Sequence, residues 1–228
     1  MLEVIFATGT QPDKWFQRYA DYTNHGGVDP CPADDAVAAL RPGAVALARL
    51  PREGDPRVGE DYHVVELYAE EPGIAVPKDS IFAEVGEPVH SDDVAEEICN
   101  YRTPADGRVD VAAVRAGLQV VGANVGVVYA PRPLLKVLAK KQVVDLGLRD
   151  WQGPHTVVSL VWRKVDDKEA IQDFVGICKG RTPNSSRTSA TKKTAREKTR
   201  AKQERRLQAS GRKPLSKRKK GTSQGKRR

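Results

Sequence analysis

Three places in this chain gather side chains with chemistry to offer, and in each the chemistry is binding. Thr8-Gly9-Thr10 falls between an apolar run and the start of a helix pattern. Small hydroxyls beside the free backbone N–H groups of a helix start can hold a carboxylate or another anion. The same geometry also serves structure alone, with Thr10 capping the helix and Gly9 permitting the turn. Arg102-Thr103 is the second place. The arginine fork matches a carboxylate, although a loop arginine facing water needs no ligand. The third place is the basic C-terminal segment described below.

Bond-making signatures are missing from the sequence. It contains no G-x-S-x-G, no phosphate-binding P-loop and no H-E-x-x-H. His90-Ser91-Asp92-Asp93 has metal-ligand types but no companion cluster, and Ser91 as an N-cap with two acids in the first turn accounts for them. Cys31 has no histidine partner in the sequence and reads as packing. Cys31, Cys99 and Cys178 are far apart and form no C-x-x-C pair, which argues against a disulfide scaffold or a zinc knuckle. Reduced thiols in a cytoplasmic protein fit that usage. The expectation is a non-enzyme with no cofactor and no metal. The N-terminus has no basic region ahead of an apolar one, and no run approaches the ~18 apolar residues of a membrane span, so no membrane role is expected.

The chain has 228 residues and a formal charge of +8, but the charge is divided. Of the 38 basic and 30 acidic residues, nineteen and two fall in 181–228, a net +17 that leaves the first 180 residues at −9. Lys192, Lys193, Arg205, Arg206, Arg212, Lys213, Lys217, Arg218, Lys219, Lys220, Lys226, Arg227 and Arg228 form repeated basic clusters there. The segment has no aromatic residue and only Leu207 and Leu215 as large aliphatics. Too little apolar surface is available to offset ordering entropy, so 181–228 is expected to be a disordered basic tail. Without aromatics it cannot stack bases, and contact with DNA or RNA would go through phosphates and ignore sequence. A solubilising extension is the bland alternative. Nucleoid association would follow from nucleic-acid contact.

The elements that must position these residues alternate between strand and helix patterns. Residues 2–8 read as a strand, and Gln11-Pro12-Asp13 opens a helix carrying Trp15, Phe16, Tyr19 and Tyr22 at helical spacing, ended by Asn24–Gly27. A short segment at 28–32, a small helix at 34–40 and a strand at 44–50 follow, a βαβαβ order that favours a parallel sheet covered by helices. Further strands are expected at 63–68, 73–77, 125–130, 143–148 and 156–162, with helices at 92–98, 111–121, 132–140 and 169–179. Asn124, between the third-last helix and its strand, fits a backbone position with positive φ.

Four phrases, in order, resemble one family. Residues 121–131, VGANVGVVYAP, are similar to the V-A-A-G-x-G-V-x-V-x-P signature of the effector-binding domain of LysR-type transcriptional regulators. Residues 173–187, DFVGICKGRTPNSSR, look like the ending of actinobacterial members of stand-alone form. Residues 5–15, IFATGTQPDKW, and 71–79, EPGIAVPKD, resemble the family's opening and its crossover strand. The resemblance begins at the first strand, so the expectation is a form without the family's winged helix-turn-helix. The phrase before the third strand is shortened to Gly43-Ala44-Val45-Ala46 without its acid, and the 99–111 segment is shorter than usual.

The resemblance implies an α/β, two-subdomain, type 2 periplasmic-binding-protein-like fold. An effector-binding domain would span 1–180, with subdomain I at about 1–73 and 155–180 and subdomain II at about 74–154. It also implies a small effector held in part by the Thr8, Gly9 and Thr10 loop, and a homodimer or pairing with another effector domain. With an anionic effector, the chemistry of Arg102 and Thr103 adds them as candidates, and Asn124, whose first reading is structural, completes the candidate set. The expected function is effector sensing for transcription regulation, with nucleic-acid contact through the tail. A rival reading comes from a different class: a nucleic-acid-associated accessory protein whose body is only a dimerisation platform.

Overall fold

Val4 and Ile5 in the first strand show how the chain is layered, because each is fully buried on an opposite face of one sheet. The protein is described here by a computed structural model covering residues 1–182. The first sheet has the order β2-β1-β3-β9-β4, made of Val28–Ala33, Leu2–Ala7, Val45–Pro51, Thr156–Arg163 and Tyr62–Ala69. β1 runs parallel to β2 and β3, whereas β9 runs antiparallel to β3 and β4. The second sheet has the order β6-β7-β5-β8, made of Cys99–Arg102, Val127–Pro131, Pro72–Pro77 and Val143–Gly147. The chain therefore crosses between sheets twice, from β4 to β5 and from β8 to β9.

Helix α1, Asp13–Tyr22, starts where the proline and the first-turn acid place it. It buries Tyr19 against Phe174 of α5, Glu169–Cys178, with ring centroids 5.6 Å apart in edge-to-face contact. These helices cover one face of the first sheet over Leu2, Val4, Leu47, Val158 and Leu160. The other face is lined by small side chains, Ala7, Ala44, Ala46 and Ala48 among them, and the 33–40 segment lies on it through Ala36.

That segment is turns, contrary to the expected helix at 34–40. Asp35 Oδ1 does accept the N–H groups of Val37 and Ala38 at 3.1 and 3.0 Å, as a cap would, but Pro42 turns Arg41 away from helical backbone and leaves a single turn too short to sustain a helix. The expected βαβαβ unit thus lacks its second helix, and the sheet is mixed where a parallel one was expected. β2 carries Pro30 and Pro32, which a central strand would not tolerate, and it lies at the sheet's edge.

The second sheet is covered by α3, Val111–Gly122, and α4, Arg132–Leu138, over Ala75, Val128, Val114, Leu118 and Leu135. Asp110 caps α3, accepting from the Ala113 N–H at 3.0 Å. A short α2 at Ile81–Val85, capped by Ser80, was not read from the sequence. The helix expected at 92–98 is one 3-10 turn, Ser91–Val94, because Ser91 is held elsewhere: its N–H and hydroxyl donate to Asp150 at 2.8 and 3.1 Å. Asn124 has φ +66°, the left-handed backbone expected of it. Among the described residues, no helix is long and apolar enough to cross a membrane.

Candidate functional site

Two of the three amides in the turn after β1 are engaged within the chain. The Thr8 N–H donates to Ala33 O at 2.9 Å and the Thr10 N–H to Ala7 O at 3.1 Å. The buried Thr10 hydroxyl also donates to Ala7 O, at 2.7 Å. Thr10 therefore does not cap α1, whose N-cap position is Pro12 with no side-chain bond. Gly9 makes the turn at φ +95°. The group left facing outward is the Thr8 hydroxyl, which donates to Asp34 Oδ1 at 2.7 Å.

Asp34 follows β2 and holds the other side of the structure as well. Arg115, on α3, donates from Nη1 to Asp34 Oδ2 at 2.6 Å and from Nη2 to Oδ1 at 3.0 Å. A helix packed on the second sheet is thereby tied to the end of the first through a planar, two-pronged pair. The hydrogen bonds from Arg115, and then that from Thr8, hold the Asp34 carboxyl below the usual carboxylate range despite partial desolvation.

This pair borders a cavity of about 430 Å3 lined by Ala7, Asp34, Arg49, Arg57, Arg108 and Val111, among others. Each arginine that lines it has an acidic partner. Arg57 bonds Asp55 at 2.6 Å and Asp35 at 2.5 Å, and Arg108 bonds Asp106 at 2.8 Å. Behind Gly9 lies a second cavity of about 510 Å3, lined by Gln11, Trp15, Tyr68, Arg132 and Lys136. Arg132 there faces Asp145 at 3.3 Å. The 8–10 turn thus separates two spaces that both open between the sheets.

A buried ionic network sits under the same turn. Arg49 on β3 donates to Glu70 from Nε at 2.6 Å and from Nη2 at 2.9 Å, and its Nη1 donates to Thr8 O at 3.1 Å. Thr156, where the chain returns to the first sheet, donates its hydroxyl to Glu70 at 2.9 Å. The Arg49 and Glu70 side chains are 4% and 1% exposed, so both charges depend on each other and on these bonds. The network joins both crossovers to the Thr8 carbonyl. Sequence reading missed it, although an arginine inside the apolar run AVALARL was a signal that an acid must meet it.

Of the other expected site residues, Thr103 is buried and donates its N–H to Tyr129 O at 3.2 Å, in a tight gap with Glu70, Thr156 and Trp151. Arg102 is exposed and lies over the Tyr129 ring, 4.3 Å from its centroid, and 5.6 Å from that of Trp151. Asn124 is at the opposite end of β7 from Thr103. The structure thus brings together Thr8, Gly9 and Thr10, with Thr103 near the crossovers, and keeps Asn124 apart. Asp34 and Arg115 were not anticipated. Cys31 accepts a hydrogen bond from Arg41 at 3.4 Å, and burial pushes the Cys178 thiol up to about 12. The basic residues from Lys192 to Arg228 lie outside the described residues.

No family model matches this sequence, and no curated protein does. Solved structures do. Full-length CbnR complexed with target DNA is 14% identical with a TM-score of 0.55, covering 78% of this chain and 68% of that one. The BenM effector-binding domain with its effector benzoate is 13% identical with a TM-score of 0.55, covering 78% and 90%. Oxidised OxyR from Corynebacterium glutamicum is 14% identical with a TM-score of 0.52, covering 94% and 69%. CbnR is described as a LysR family transcriptional regulator. At these identities the likeness is one of fold. The chain has the α/β, type 2 periplasmic-binding-protein-like fold of LysR-type effector-binding domains.

Proposed function

We propose that residues 1–180 are the small-molecule-sensing domain of a LysR-like transcriptional regulator, taking an anionic effector in the cavity that Asp34 lines, where Asp34 meets Thr8 and Arg115. The observation that carries this reading is their convergence: a hydroxyl from the first sheet and a guanidinium from the second meet at one carboxylate beside a cavity of about 430 Å3. Such donors recognise carboxylates. The fold neighbour BenM is described with benzoate, itself an aromatic carboxylate. We take the two sheets as the cores of two subdomains, divided at the crossovers near 71 and 155. Thr103 and the Gly9–Thr10 turn shape the site through the backbone, and Arg102 and Asn124 are peripheral to it.

A binding role suits the cavity better than a catalytic one. Its described lining residues include no serine, cysteine, histidine or lysine, and its acids are engaged by arginines or by the α3 amide. Without a nucleophile or a free base, the geometry offers recognition only. The basic segment beyond residue 182 would add phosphate contact with DNA or RNA, holding a cytoplasmic sensor near nucleic acid. The body would act as a homodimer or pair with another effector domain.

One observation favours the rival reading, a dimerising accessory protein with no ligand. Asp34, Asp35, Asp55, Asp106, Arg49, Arg57 and Arg108 around the cavity all have partners within the chain. A thermal-shift screen of the full-length protein against small carboxylates, benzoate included, separates the two. Sensing requires at least one acid to raise the melting temperature, with the rise lost in Thr8→Val. A rise that survives Thr8→Val but disappears in Lys136→Ala moves the ligand to the second cavity. No rise across the screen leaves the rival.

A further inference from the structure

The cleft already holds a carboxylate, and it belongs to the chain. Asp34 Oδ1 accepts from the Thr8 hydroxyl at 2.7 Å and from Arg115 Nη2 at 3.0 Å, while Oδ2 accepts from Arg115 Nη1 at 2.6 Å. Three donors thus converge on two oxygens, in the arrangement by which a free carboxylate is recognised. The donors come from separate parts of the fold. Thr8 follows β1, and Arg115 is on α3 against the second sheet, 81 residues from Asp34. The geometry points to Thr8 and Arg115 as a carboxylate-binding site that Asp34 fills from within, so that an incoming carboxylate binds by displacing Asp34.

Four features support displacement over a permanent structural pair. The Arg115 and Asp34 side chains are 44% and 45% exposed, so solvent and solutes reach both. Asp34 also lines the cavity, which gives the rest of a displacing molecule somewhere to sit. Among the described residues, the hydrogen bonds to Asp34 all come from side chains, whereas its neighbour Asp35 also holds the backbone N–H groups of Val37 and Ala38. Last, Arg115 holds the Asp34 carboxyl below the usual range, so the internal occupant is an anion of the same kind as the molecule it excludes.

A tethered carboxylate competes at an effective concentration in the millimolar range or above. The wild-type site is therefore weak for any simple carboxylate, and selective for one whose body fills the cavity well enough to outcompete Asp34. This deepens the sensing proposal and rests on it only for the identity of the natural ligand. The site itself is testable with acetate.

The experiment is an NMR titration of full-length protein with acetate at constant ionic strength, with acetamide as the neutral control. Asp34→Ala is expected to bind acetate at least tenfold more tightly than the wild type, and acetamide no better. Adding Arg115→Ala or Thr8→Val to Asp34→Ala should abolish the gain. If Asp34→Ala does not fold, Asp34→Asn keeps the size, removes the charge and should show a smaller gain of the same sign. Equal acetate affinity in wild type and variant, or a gain that persists with Arg115→Ala, overturns the proposal. The sensing reading is judged separately. If acetate gains in Asp34→Ala while no metabolite stabilises the wild type, the site stands and sensing fails. If a metabolite stabilises the wild type but Asp34→Ala gains nothing for acetate, sensing stands and the displaced carboxylate fails.

Discussion

Gly9 lies against Leu134, where a Cβ on the glycine would meet the Leu134 Cα at 2.9 Å. This is the point at which the turn after β1, in the first sheet, touches the start of α4 on the second. The glycine also holds φ +95°, where an L side chain is strained. Gly9→Ala therefore meets a backbone penalty and a steric one together. A loss of about 2–4 kcal/mol is expected in urea denaturation. An unchanged midpoint would mean that the turn and α4 are not in contact.

Breaking the Arg49–Glu70 pair from one side should cost more than breaking any pair at the surface. Both side chains are almost fully enclosed, and Glu70→Leu leaves the guanidinium with only the Thr8 carbonyl. Removing one partner of a buried pair costs about 3–5 kcal/mol. Replacing both, as Arg49→Met with Glu70→Leu, should recover part of that loss. A double-mutant cycle measures it, and additive single losses would show that the pair is not coupled.

Acid should weaken the fold through Asp55. Its side chain is fully enclosed, and hydrogen bonds from Arg57 hold its carboxyl below the ordinary 3.8, against the opposing effect of burial. A group depressed in the folded state contributes its full stability above its unfolded value of about 3.9 and loses it as pH falls through the lower folded value. Asp55→Asn should therefore be less stable than the wild type at neutral pH, with the gap closing in strong acid. Parallel urea titrations across that range check it, and a gap independent of pH would contradict it.

The last side chain described in an ion pair is Arg181, which donates to Asp173, itself 3.0 Å from His25 Nε2. Helix α5 ends at Cys178. Truncation after Thr182 is expected to leave the melting temperature nearly unchanged, because it keeps this contact. Arg181→Ala should cost about 1–3 kcal/mol, since Asp173 is buried and loses a charged partner. A truncated protein that no longer unfolds cooperatively would show that later residues belong to the fold.

The basic segment should give sequence-blind binding to duplex DNA or RNA that residues 1–182 alone lack. If about a third of its basic groups engage, the log–log salt slope is roughly −5. Deleting 213–228 should flatten that slope without creating a preference, because phosphate contacts carry no base information. Anisotropy titrations in salt with two unrelated duplexes test this. Equal binding by the truncated body, or one duplex strongly preferred, refutes it.

The local grammar of the chain was open to reading. Pro12-Asp13 and the aromatic spacing from Trp15 to Tyr22 specify α1, and the positive φ of Asn124 follows from its residue type and its place before Gly126. The division of charge at residue 181 needs only counting. Failures began where a residue answered to a distant partner. Ser91 has the type of an N-cap, yet Asp150 takes its hydroxyl. The βαβαβ order counts 28–32 as a strand, but its place at the sheet's edge, where Pro30 and Pro32 are tolerated, is set by the sheet order.

The sequence by itself determined the order of most strands and helices, the turn at Thr8–Thr10 and the separation of an acidic body from a basic segment. These depend on contacts within a few residues, where type and spacing set the energies. Only the tertiary structure decided that the Thr8 and Thr10 amides are spent on Ala33 and Ala7, that Arg49 is neutralised by Glu70, and that Asp34 meets Arg115 across 81 residues. Each acid or base had many possible partners of opposite sign in the chain. Which pairs form is set by the sheet order β2-β1-β3-β9-β4 and by the crossovers that bring α3 to the end of β2, since a charge is stabilised by the neighbour the backbone places within hydrogen-bond reach.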